Sequence, residues 1–330
     1  MSFAAPMEIT MRTCLRLLVM FAAAMAGAVH AQSFPAKSVR VVVAFPAGGG
    51  LDITARAFGQ KLAEYWGQTV VIENRPGASG MIGAEAVVRA PKDGYILLIC
   101  SPAEIALNPA LYSKMSYDPF KDLAPISLAA TYPNMIVVHA SVPVKTVREL
   151  IVLSKKTAGG LPFGSSGTGS TQHLAGEWLK SNAGINYLHV PYKGAAPAVT
   201  DLVGGQIPTA ILGLAPIIPH VKSGRIRGLA VTAAKRSAAA PDVPTLHEAG
   251  IDFDSTQWFG FLAPAGTPPD VIAKIQADIK RAAADAGVKE RLIPLGGDPF
   301  SNTPDEFAAF IRAENAKYGK VIRDGNIKAE

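Results

Sequence analysis

Cysteine is scarce in this chain of 330 residues, which contains only Cys14 and Cys100. Cys14 stands before an apolar run rather than at its end, so a lipid anchor on this thiol is not expected. If the N-terminal segment is removed, Cys100 remains alone and no disulfide can form within the mature chain. A covalent cross-link therefore plays no part in the expected fold.

Long hydrophobic runs are also lacking, apart from one near the N-terminus. Arg12 and Arg16 precede an apolar run at residues 17–28, and small residues up to Ala31 then offer a signal-peptidase site. The run is shorter than the roughly 20 residues that a membrane span needs. We therefore predict a signal peptide at residues 1–31, removed after Ala31, and a soluble mature protein in the periplasm. Met11 is an alternative start, because a basic n-region follows it directly.

An excess of one charge is present but mild. The chain has 32 basic and 26 acidic side chains, a formal charge of +6, and no basic run. Such a balance can steer anionic ligands towards a protein, but it lacks the clustered basic patch of nucleic-acid binders. We predict no nucleic-acid partner.

Sequence motifs of common enzymes are absent. Residues 77–80 and 164–168 both break the Gly-x-Ser-x-Gly spacing of a hydrolase elbow. The chain has no Gly-Lys-Ser/Thr of a nucleotide P-loop, and residues 167–169 lack the third glycine of a dinucleotide fingerprint. These absences favour a protein that is not an enzyme.

Candidate side chains for chemistry are few. Ser170, His173 and Asp201 are the residue types of a catalytic triad, but their sequence positions say nothing about mutual geometry. His173 and Glu177 stand four residues apart, and two ligands without a third make a weak metal site. We predict neither a metal nor a cofactor, and an exported hydrolase is the weaker alternative.

What the sequence does contain is a strand, a glycine-rich loop and a helix at residues 41–66. Val41 begins an apolar β-branched run that meets three glycines, Gly48, Gly49 and Gly50, before a helical pattern opens around Asp52. Glycines leave backbone N–H groups uncovered near the positive end of a helix, which suits an anion. The pattern predicts an anion-binding loop with Asp52 as the helix cap. An ordinary strand-to-helix turn is the plain alternative.

A second stretch of this kind lies at residues 161–179. Glycines at 164, 167 and 169 alternate with five serines and threonines before a helical face at Leu174 and Trp178. Hydroxyls and free amides again meet at a helix start. Two such loops suggest two α/β lobes that each direct a helix N-terminus at one anionic ligand.

Strand and helix patterns alternate along the rest of the chain. Strands are expected at 70–73, 95–100, 135–139, 186–190, 209–214 and 226–232, with helices at 83–89, 147–155, 196–203, 270–286 and 304–321. In the last helix Phe307, Phe310, Ile311 and Tyr318 share one face. Such alternation predicts mixed, mostly parallel sheets flanked by helices.

The order of these patterns also suggests how the lobes are assembled. We expect domain 1 to be discontinuous, at 32–136 and 256–330, with domain 2 at 137–255. Two crossovers near residues 131–137 and 252–259 would join the domains, and the C-terminal helices would return to cover the first lobe.

Short sequence pieces along nearly the whole mature chain carry a resemblance to a known family. They are residues 45–52, 73–80, 93–95, 108–112, 164–170, 190–194, 201–206, 224–232, 262–267 and 326–330. In this order they resemble the Bug family, the periplasmic solute-binding receptors of tripartite tricarboxylate transporters. The resemblance implies a two-lobed α/β periplasmic binding protein of type II, a Venus flytrap, that closes on a small carboxylate ligand. It also implies two membrane subunits of the transporter as partners, and we expect a monomer.

The resemblance also implies a set of ligand-binding residues, gripping a carboxylate partly through ordered water. One side of the site would consist of Phe45, Ala47, Gly48, Gly49 and Asp52, with Ser101 from the loop after a later strand. The other would consist of Ser165, Gly167, Thr168, Gly169, Ser170 and His173, with Tyr192, Lys193 and Gly194 as the far wall. Three of these residues also have an alternative role that needs no ligand contact. Lys193 would be a solvated surface lysine, His173 would cap its helix, and Tyr192 would pack against its neighbours.

The chain departs from the family at residues 207–214. Relatives often carry an acidic residue and an Asp-Asn pair there, whereas this chain has Ile207, Thr209, Ile211 and Gly213. If those acidic side chains contact an amino group or hydroxyl of the ligand in relatives, that contact is lost in this chain. The apolar replacements favour a less polar, aromatic or plain aliphatic acid. A ligand sensor for a membrane signalling protein would have the same fold, so the sequence leaves that alternative open.

Overall fold

The computed structural model of this protein describes residues 34–324 and Ile327. The chain divides into two units, residues 1–36 and 37–330. Of the first, residues 34–36 are described, with a cis peptide bond between Phe34 and Pro35. The predicted signal peptide and Cys14 lie outside the described residues.

The first group of strands includes two short apolar runs, at residues 39–43 and 96–100, whose valines, isoleucines and leucines are mostly buried. The strands are β1 (Val39–Val43), β2 (Val70–Asn74), β3 (Ile96–Cys100), β9 (Thr256–Pro264) and a two-residue strand, β10 (Asp298–Pro299). Their order is β2-β1-β3-β9-β4, with β10 also paired to β4 (Leu123–His139). The pairs that β1 makes with β2 and β3 are parallel, whereas β9 is antiparallel to both neighbours.

The second group of strands continues from the far end of β4. It contains β5 (Leu161–Ser165), β6 (Tyr187–Pro191), β7 (Thr209–Gly213) and β8 (Ile226–Val231). The order is β4-β7-β5-β6, with β8 also paired to β4. The pairs of β5 with β6 and β7 are parallel, and those of β4 with β7 and β8 are antiparallel. The predicted mixed sheets are confirmed, but parallel pairs are not the expected majority: among the described strands four pairs are parallel and five are antiparallel, and every antiparallel pair involves β4 or β9.

Strand β4 is the connection between the two groups. Its residues up to Pro133 pair with β9, and those from Asn134 to His139 pair with β7 and β8. The chain returns to the first group of strands through the segment from Thr232 to Ser255. The N–H of Ser255 donates to the carbonyl of Thr232. Domain boundaries at residues 136 and 256 stay a prediction.

Helices flank the strands on both sides. They are α1 (Gly50–Trp66), α2 (Met81–Val88), α3 (Asn108–Leu111), α4 (Pro119–Asp122), α5 (Val147–Lys156), α6 (Thr171–Asn182), α7 (Ala195–Val203), α8 (Leu214–Lys222), α9 (Pro269–Ala284), α10 (Ala286–Leu292) and α11 (Pro304–Asp324). A π-helical turn, Ala103–Leu107, follows β3. The single helix expected at 270–286 ends early, because Asp285 takes an extended backbone and caps α10.

The C-terminal helix α11 packs back onto the first group of strands. Phe307 and Ile311 are buried in the same cluster as Val42 and Leu98, and Phe307 meets the Trp258 ring edge-on at 5.7 Å. The buried carboxylate of Glu314 accepts a hydrogen bond from Trp258 Nε1. The predicted apolar face of this helix is confirmed. Among the described residues, no helix is both long and apolar enough to cross a membrane.

Candidate functional site

Two adjoining cavities lie beside the carboxyl ends of β1, β3, β5, β6 and β7, and the small cavity also reaches Tyr132 on β4 and Gln257 near the amino end of β9. The small cavity measures about 60 Å³ and the large cavity about 710 Å³, counted as space open to the centre of a water molecule. One water needs roughly 10–15 Å³ by this measure, so the small cavity has room for several waters or a short acid. Phe45, Pro46, Ala103, Ser166, Ser170 and Gly194 line both cavities.

The loop between β1 and α1 forms one wall of the small cavity. Gly49 is the N-cap of α1 without a side-chain cap, and no acceptor in the described part of the chain takes the N–H groups of Gly49, Gly50 and Leu51. These three residues line the small cavity. The uncovered amides expected from the three glycines are present, except that the Gly48 N–H donates to Asp52 Oδ2 at 3.0 Å.

Asp52 organises this loop from behind the cavity. Only 4% of the residue is exposed, and its carboxylate accepts from Gly48 N–H, Arg56 Nε and Asn74 Nδ2. Asn74 Nδ2 also donates to the Phe45 carbonyl. Burial alone would raise the pKa of Asp52, but the hydrogen bonds from Arg56, Gly48 and Asn74 outweigh it and lower the pKa. The prediction that Asp52 caps α1 is wrong, because it lies within the first turn and reaches back to Gly48.

The loop between β5 and α6 forms the opposite wall. Ser170 is the N-cap of α6, and its Oγ accepts from the His173 N–H at 3.2 Å. The N–H groups of Thr171 and Gln172 have no acceptor in the part of the chain that is described, and both residues line the small cavity. This second predicted helix start therefore also presents free amides to the cavity.

Two further helix starts line the same cavity. Gly194, at φ +113°, is the N-cap of α7, and Gly213 is the N-cap of α8. Ala195 and Ala196 line the cavity after the first, and Ala215 and Pro216 after the second. Each helix start carries roughly half a positive charge. Because no charged side chain from the described residues lines the small cavity, four helix dipoles dominate its electrostatics. Such a cavity favours an anion.

Ser101 lies at the cavity edge, at the end of β3. Its N–H and Oγ donate to Oε1 and Oε2 of Glu104, which is fully buried. Burial raises the pKa of Glu104 to about 7, although hydrogen bonds from Ser101 oppose the increase. Glu104 therefore fixes the turn, and the Ser101 hydroxyl is already used as a donor.

A stacked pair of histidines supports the loop after β5. The rings of His173 and His189 lie 3.9 Å apart and nearly parallel. His173 Nδ1 accepts from Gly169 N–H, and His189 Nε2 lies 2.6 Å from Ser165 Oγ. Burial lowers the pKa of His173 to about 4 and that of His189 to about 3, so both rings are neutral at pH 7.

The residue types of a catalytic triad are not joined to one another as a triad requires. Asp201 accepts from the Tyr192 hydroxyl at 2.8 Å, and the Ser170 hydroxyl donates to the Gly167 carbonyl at 2.7 Å. His173 Nδ1 is occupied by a backbone amide. None of these contacts connects a nucleophile to a base and the base to an acid.

The sequence of the chain matches a family of transport receptors. The sequence model of the tripartite tricarboxylate transporter family receptor, TctC, matches residues 54–327 of this chain. This chain belongs to the TctC family. The protein BugT of Bordetella pertussis is 34% identical to it over 308 residues, 93% of this chain and 94% of BugT. The resemblance to Bug receptors is thereby confirmed.

Solved structures of TctC relatives have the same fold. The protein Rpa4515 of R. palustris, described with adipate, superposes with a TM-score of 0.86 and 35% identity, covering 89% of this chain and 99% of Rpa4515. MatC from Rhodopseudomonas palustris, described with bound malate, gives a TM-score of 0.81 and 30% identity, covering 88% and 100%. The predicted two-lobed α/β binding-protein fold is confirmed, and the family is one of receptors.

The structure of this TctC receptor distributes the predicted site residues over three positions. Phe45, Ala47, Gly49, Ser101, Ser170 and Gly194 line the small cavity. Gly167, Thr168, Tyr192 and Lys193 line the large cavity. Gly48, Asp52, Ser165, Gly169 and His173 line neither of them, and their contacts hold the two loops in place.

Several residues of the small cavity were not predicted from the sequence. Tyr132 on β4 and Gln257 and Phe259 on β9 line it, together with Gln172 on α6. Three of these four residues lie on β4, which the sequence patterns place only at 135–139, and on β9, which they do not predict. No glycine-rich or hydroxyl-rich pattern marks them, although Gln172 directly follows the second predicted anion-binding loop.

Proposed function

We propose that this protein is an extracytoplasmic solute-binding receptor that captures a small carboxylate between its two lobes. The convergence of four helix N-termini on one cavity, which is lined by no charged side chain of the described residues, carries this proposal. Free N–H groups at helix starts stabilise a carboxylate by charge-assisted hydrogen bonds, directly or through water. The adipate and malate in the descriptions of Rpa4515 and MatC support the same ligand class.

The proposed role extends to the membrane. The receptor acts in the periplasm after cleavage near Ala31 and delivers its ligand to the two membrane subunits of a tripartite tricarboxylate transporter. The family description as a transporter receptor supports this partner. Lys193 is the one charged side chain among the described residues that line either cavity, and it lies on the exposed side. Its charge would attract an anion to the large cavity.

A thermal-shift screen tests carboxylate binding. The full chain is expressed with export, and the purified protein is heated with mono-, di- and tricarboxylates, aromatic acids, amino acids and phosphate. A ligand at about 100 times its dissociation constant stabilises the folded state by about 2.7 kcal/mol, which raises the unfolding midpoint. We expect a shift with one class of carboxylate. A shift with phosphate alone, or with none of these anions, would contradict the proposal.

Gly49 provides a blocked variant for this screen. Its φ is −83°, and a Cβ there would meet no atom closer than the Pro46 carbonyl oxygen at 4.0 Å. Gly49→Leu should therefore fold and fill the small cavity, which abolishes the shift. Ala286→Leu, at the exposed start of α10, is the matched control and should retain it.

A further inference from the structure

We infer that the ligand carries, besides its carboxylate, a neutral hydroxyl that is bound between the side-chain amides of Gln172 and Gln257. The ligand class is then a short hydroxycarboxylic acid. This inference rests on the proposed function and narrows it, and its experiment separates the two.

Gln172 supplies an unused acceptor. It lies in the first turn of α6, lines the small cavity and is 1% exposed. Its Nε2 donates to Asn134 Oδ1 at 3.0 Å, and Asn134 Nδ2 donates in turn to Thr171 Oγ1 at 3.3 Å. Gln172 Oε1 has no partner in the described part of the protein. A buried oxygen left unpaired is unfavourable, so a ligand that donates to it gains affinity.

Gln257 supplies a second amide at the same place. It is the second residue of β9 and lines the small cavity, and no hydrogen bond joins its side chain to any described residue. A Cβ on Gly213 would lie 2.7 Å from Gln257 Oε1 and 3.9 Å from Gln172 Nε2. Both amides therefore flank Gly213, the glycine that begins α8. A side-chain amide offers two donors and an acceptor.

The charge of the cavity determines which ligand group fits between these amides. An ammonium would leave water without meeting an opposite charge, because no acidic side chain in the described chain lines the cavity and four positive helix ends face it. A plain methylene would leave Gln172 Oε1 unpaired. A hydroxyl donates to one amide and accepts from the other at no cost in charge. The lack of acidic residues at 207–214 thus argues against an amino group, while the two glutamines argue for a hydroxyl.

Matched acids test this inference by titration calorimetry. Each set holds the carbon chain constant and places hydrogen, hydroxyl or amino at C2: succinate, malate and aspartate; glutarate, 2-hydroxyglutarate and glutamate; propionate, lactate and alanine. In the set whose length fits, we expect the hydroxy acid to bind at least about tenfold more tightly than the other two acids.

Single substitutions assign the effect to the two amides. Gln172→Met and Gln257→Met should each lower the affinity for the hydroxy acid about tenfold more than the affinity for the plain acid. An unfolding midpoint close to that of the wild type in the absence of ligand shows that each variant is folded. Gln206→Met, at an exposed glutamine in the turn after α7, should change neither affinity.

The outcomes separate the inference from the function on which it rests. If plain acids bind as tightly as hydroxy acids, or amino acids bind best, the hydroxyl site is overturned and carboxylate binding stands. The hydroxyl site is also overturned, and carboxylate binding also stands, if both glutamine variants lower the affinity for every acid of a set equally. If no acid in the three sets and no acid of the thermal-shift screen binds, both proposals fail.

Discussion

Ser79 Oγ donates a hydrogen bond to the backbone carbonyl of Thr168, 3.2 Å away. Ser79 lies beyond β2 of the first group of strands, and Thr168 lies in the loop after β5 of the second. Both residues line the large cavity. The contact therefore closes one side of the ligand cleft by joining the two groups of strands.

The segment around Ser79 is held in an unfavourable backbone conformation. Ala78 and Ser79 have φ of +48° and +51°, in the left-handed region that residues other than glycine rarely adopt. Asn108 Nδ2 donates to the Ser79 carbonyl at 3.0 Å and holds the segment in place. Such backbone strain persists where surrounding contacts fix it, often at ligand clamps.

We predict that Ser79→Ala speeds ligand release. One hydrogen bond contributes about 0.5–1.5 kcal/mol, so the dissociation rate should rise roughly two- to tenfold with little change in association. Stopped-flow release of the acid found in the screen measures this. Ser223→Ala, which removes an exposed serine hydroxyl that donates to the His220 carbonyl, is the control. An unchanged release rate in the Ser79 variant would show that the contact does not hold the cleft closed.

Asp52→Asn should weaken both the fold and ligand binding. The variant loses the ion pair with Arg56, 2.9 Å away, and one of the acceptors that hold the Gly48 and Asn74 hydrogen bonds. We expect the free energy of unfolding to fall by about 1–3 kcal/mol at pH 7, measured by urea denaturation. Asp242→Asn, on the surface, should change it little. If binding survives unchanged, the geometry of the loop does not depend on Asp52.

The stacked histidines predict a loss of stability on acidification. Their folded-state pKa values, about 4 for His173 and about 3 for His189, lie below the ordinary 6.5. The unfolded chain therefore binds more protons, and stability that is complete above pH 6.5 is lost progressively as the pH falls towards 4. One pKa unit corresponds to about 1.4 kcal/mol.

Urea denaturation at a series of pH values checks this. His189→Phe removes one titrating group and can retain the stack, so its stability should fall less steeply between pH 6.5 and 4. Ser223→Ala, which removes no titrating group, should keep the wild-type slope. Equal slopes in all three proteins would contradict a neutral, buried pair.

Gly169→Ala should disrupt the loop after β5. Gly169 has a φ of +76°, and a Cβ there would lie 2.6 Å from Leu111 Cδ1. Gly224 has a similar φ of +72° with no atom within 4 Å of that position, so Gly224→Ala carries the backbone cost alone. We expect the Gly169 variant to lose ligand affinity and the Gly224 variant to keep it. Equal affinities would show that crowding against Leu111 is harmless.

The sequence predicts the parts of the site that depend on local pattern. Glycines and hydroxyl residues between a strand and a helix mark a helix start, so the loops at Gly49 and Ser170 are visible in the sequence alone. The start of α8 at Gly213 stands out in the sequence only as a departure from the family. The convergence of four helix starts depends on strand order, which one sequence does not determine.

The remaining differences arise from side-chain direction and from the long strands. Asp52 and His173 lie in the first turns of the helices that follow the two predicted loops, but their side chains bond to backbone amides behind the cavity. Tyr132 lies on β4, a strand of 17 residues, and Gln257 lies on β9, a strand of 9 residues. No local sequence signal marks the pairing of these two strands. Contacts between such distant residues are visible only in the folded chain.

A crystal structure of the protein with the acid that gives the largest thermal shift tests the proposed binding mode most directly. We predict a carboxylate in the small cavity, hydrogen-bonded directly or through one water to the free N–H groups of Gly49–Leu51 and of Thr171 and Gln172. A carboxylate paired with Lys193 in the large cavity, with the helix starts unoccupied by the ligand, would contradict this binding mode.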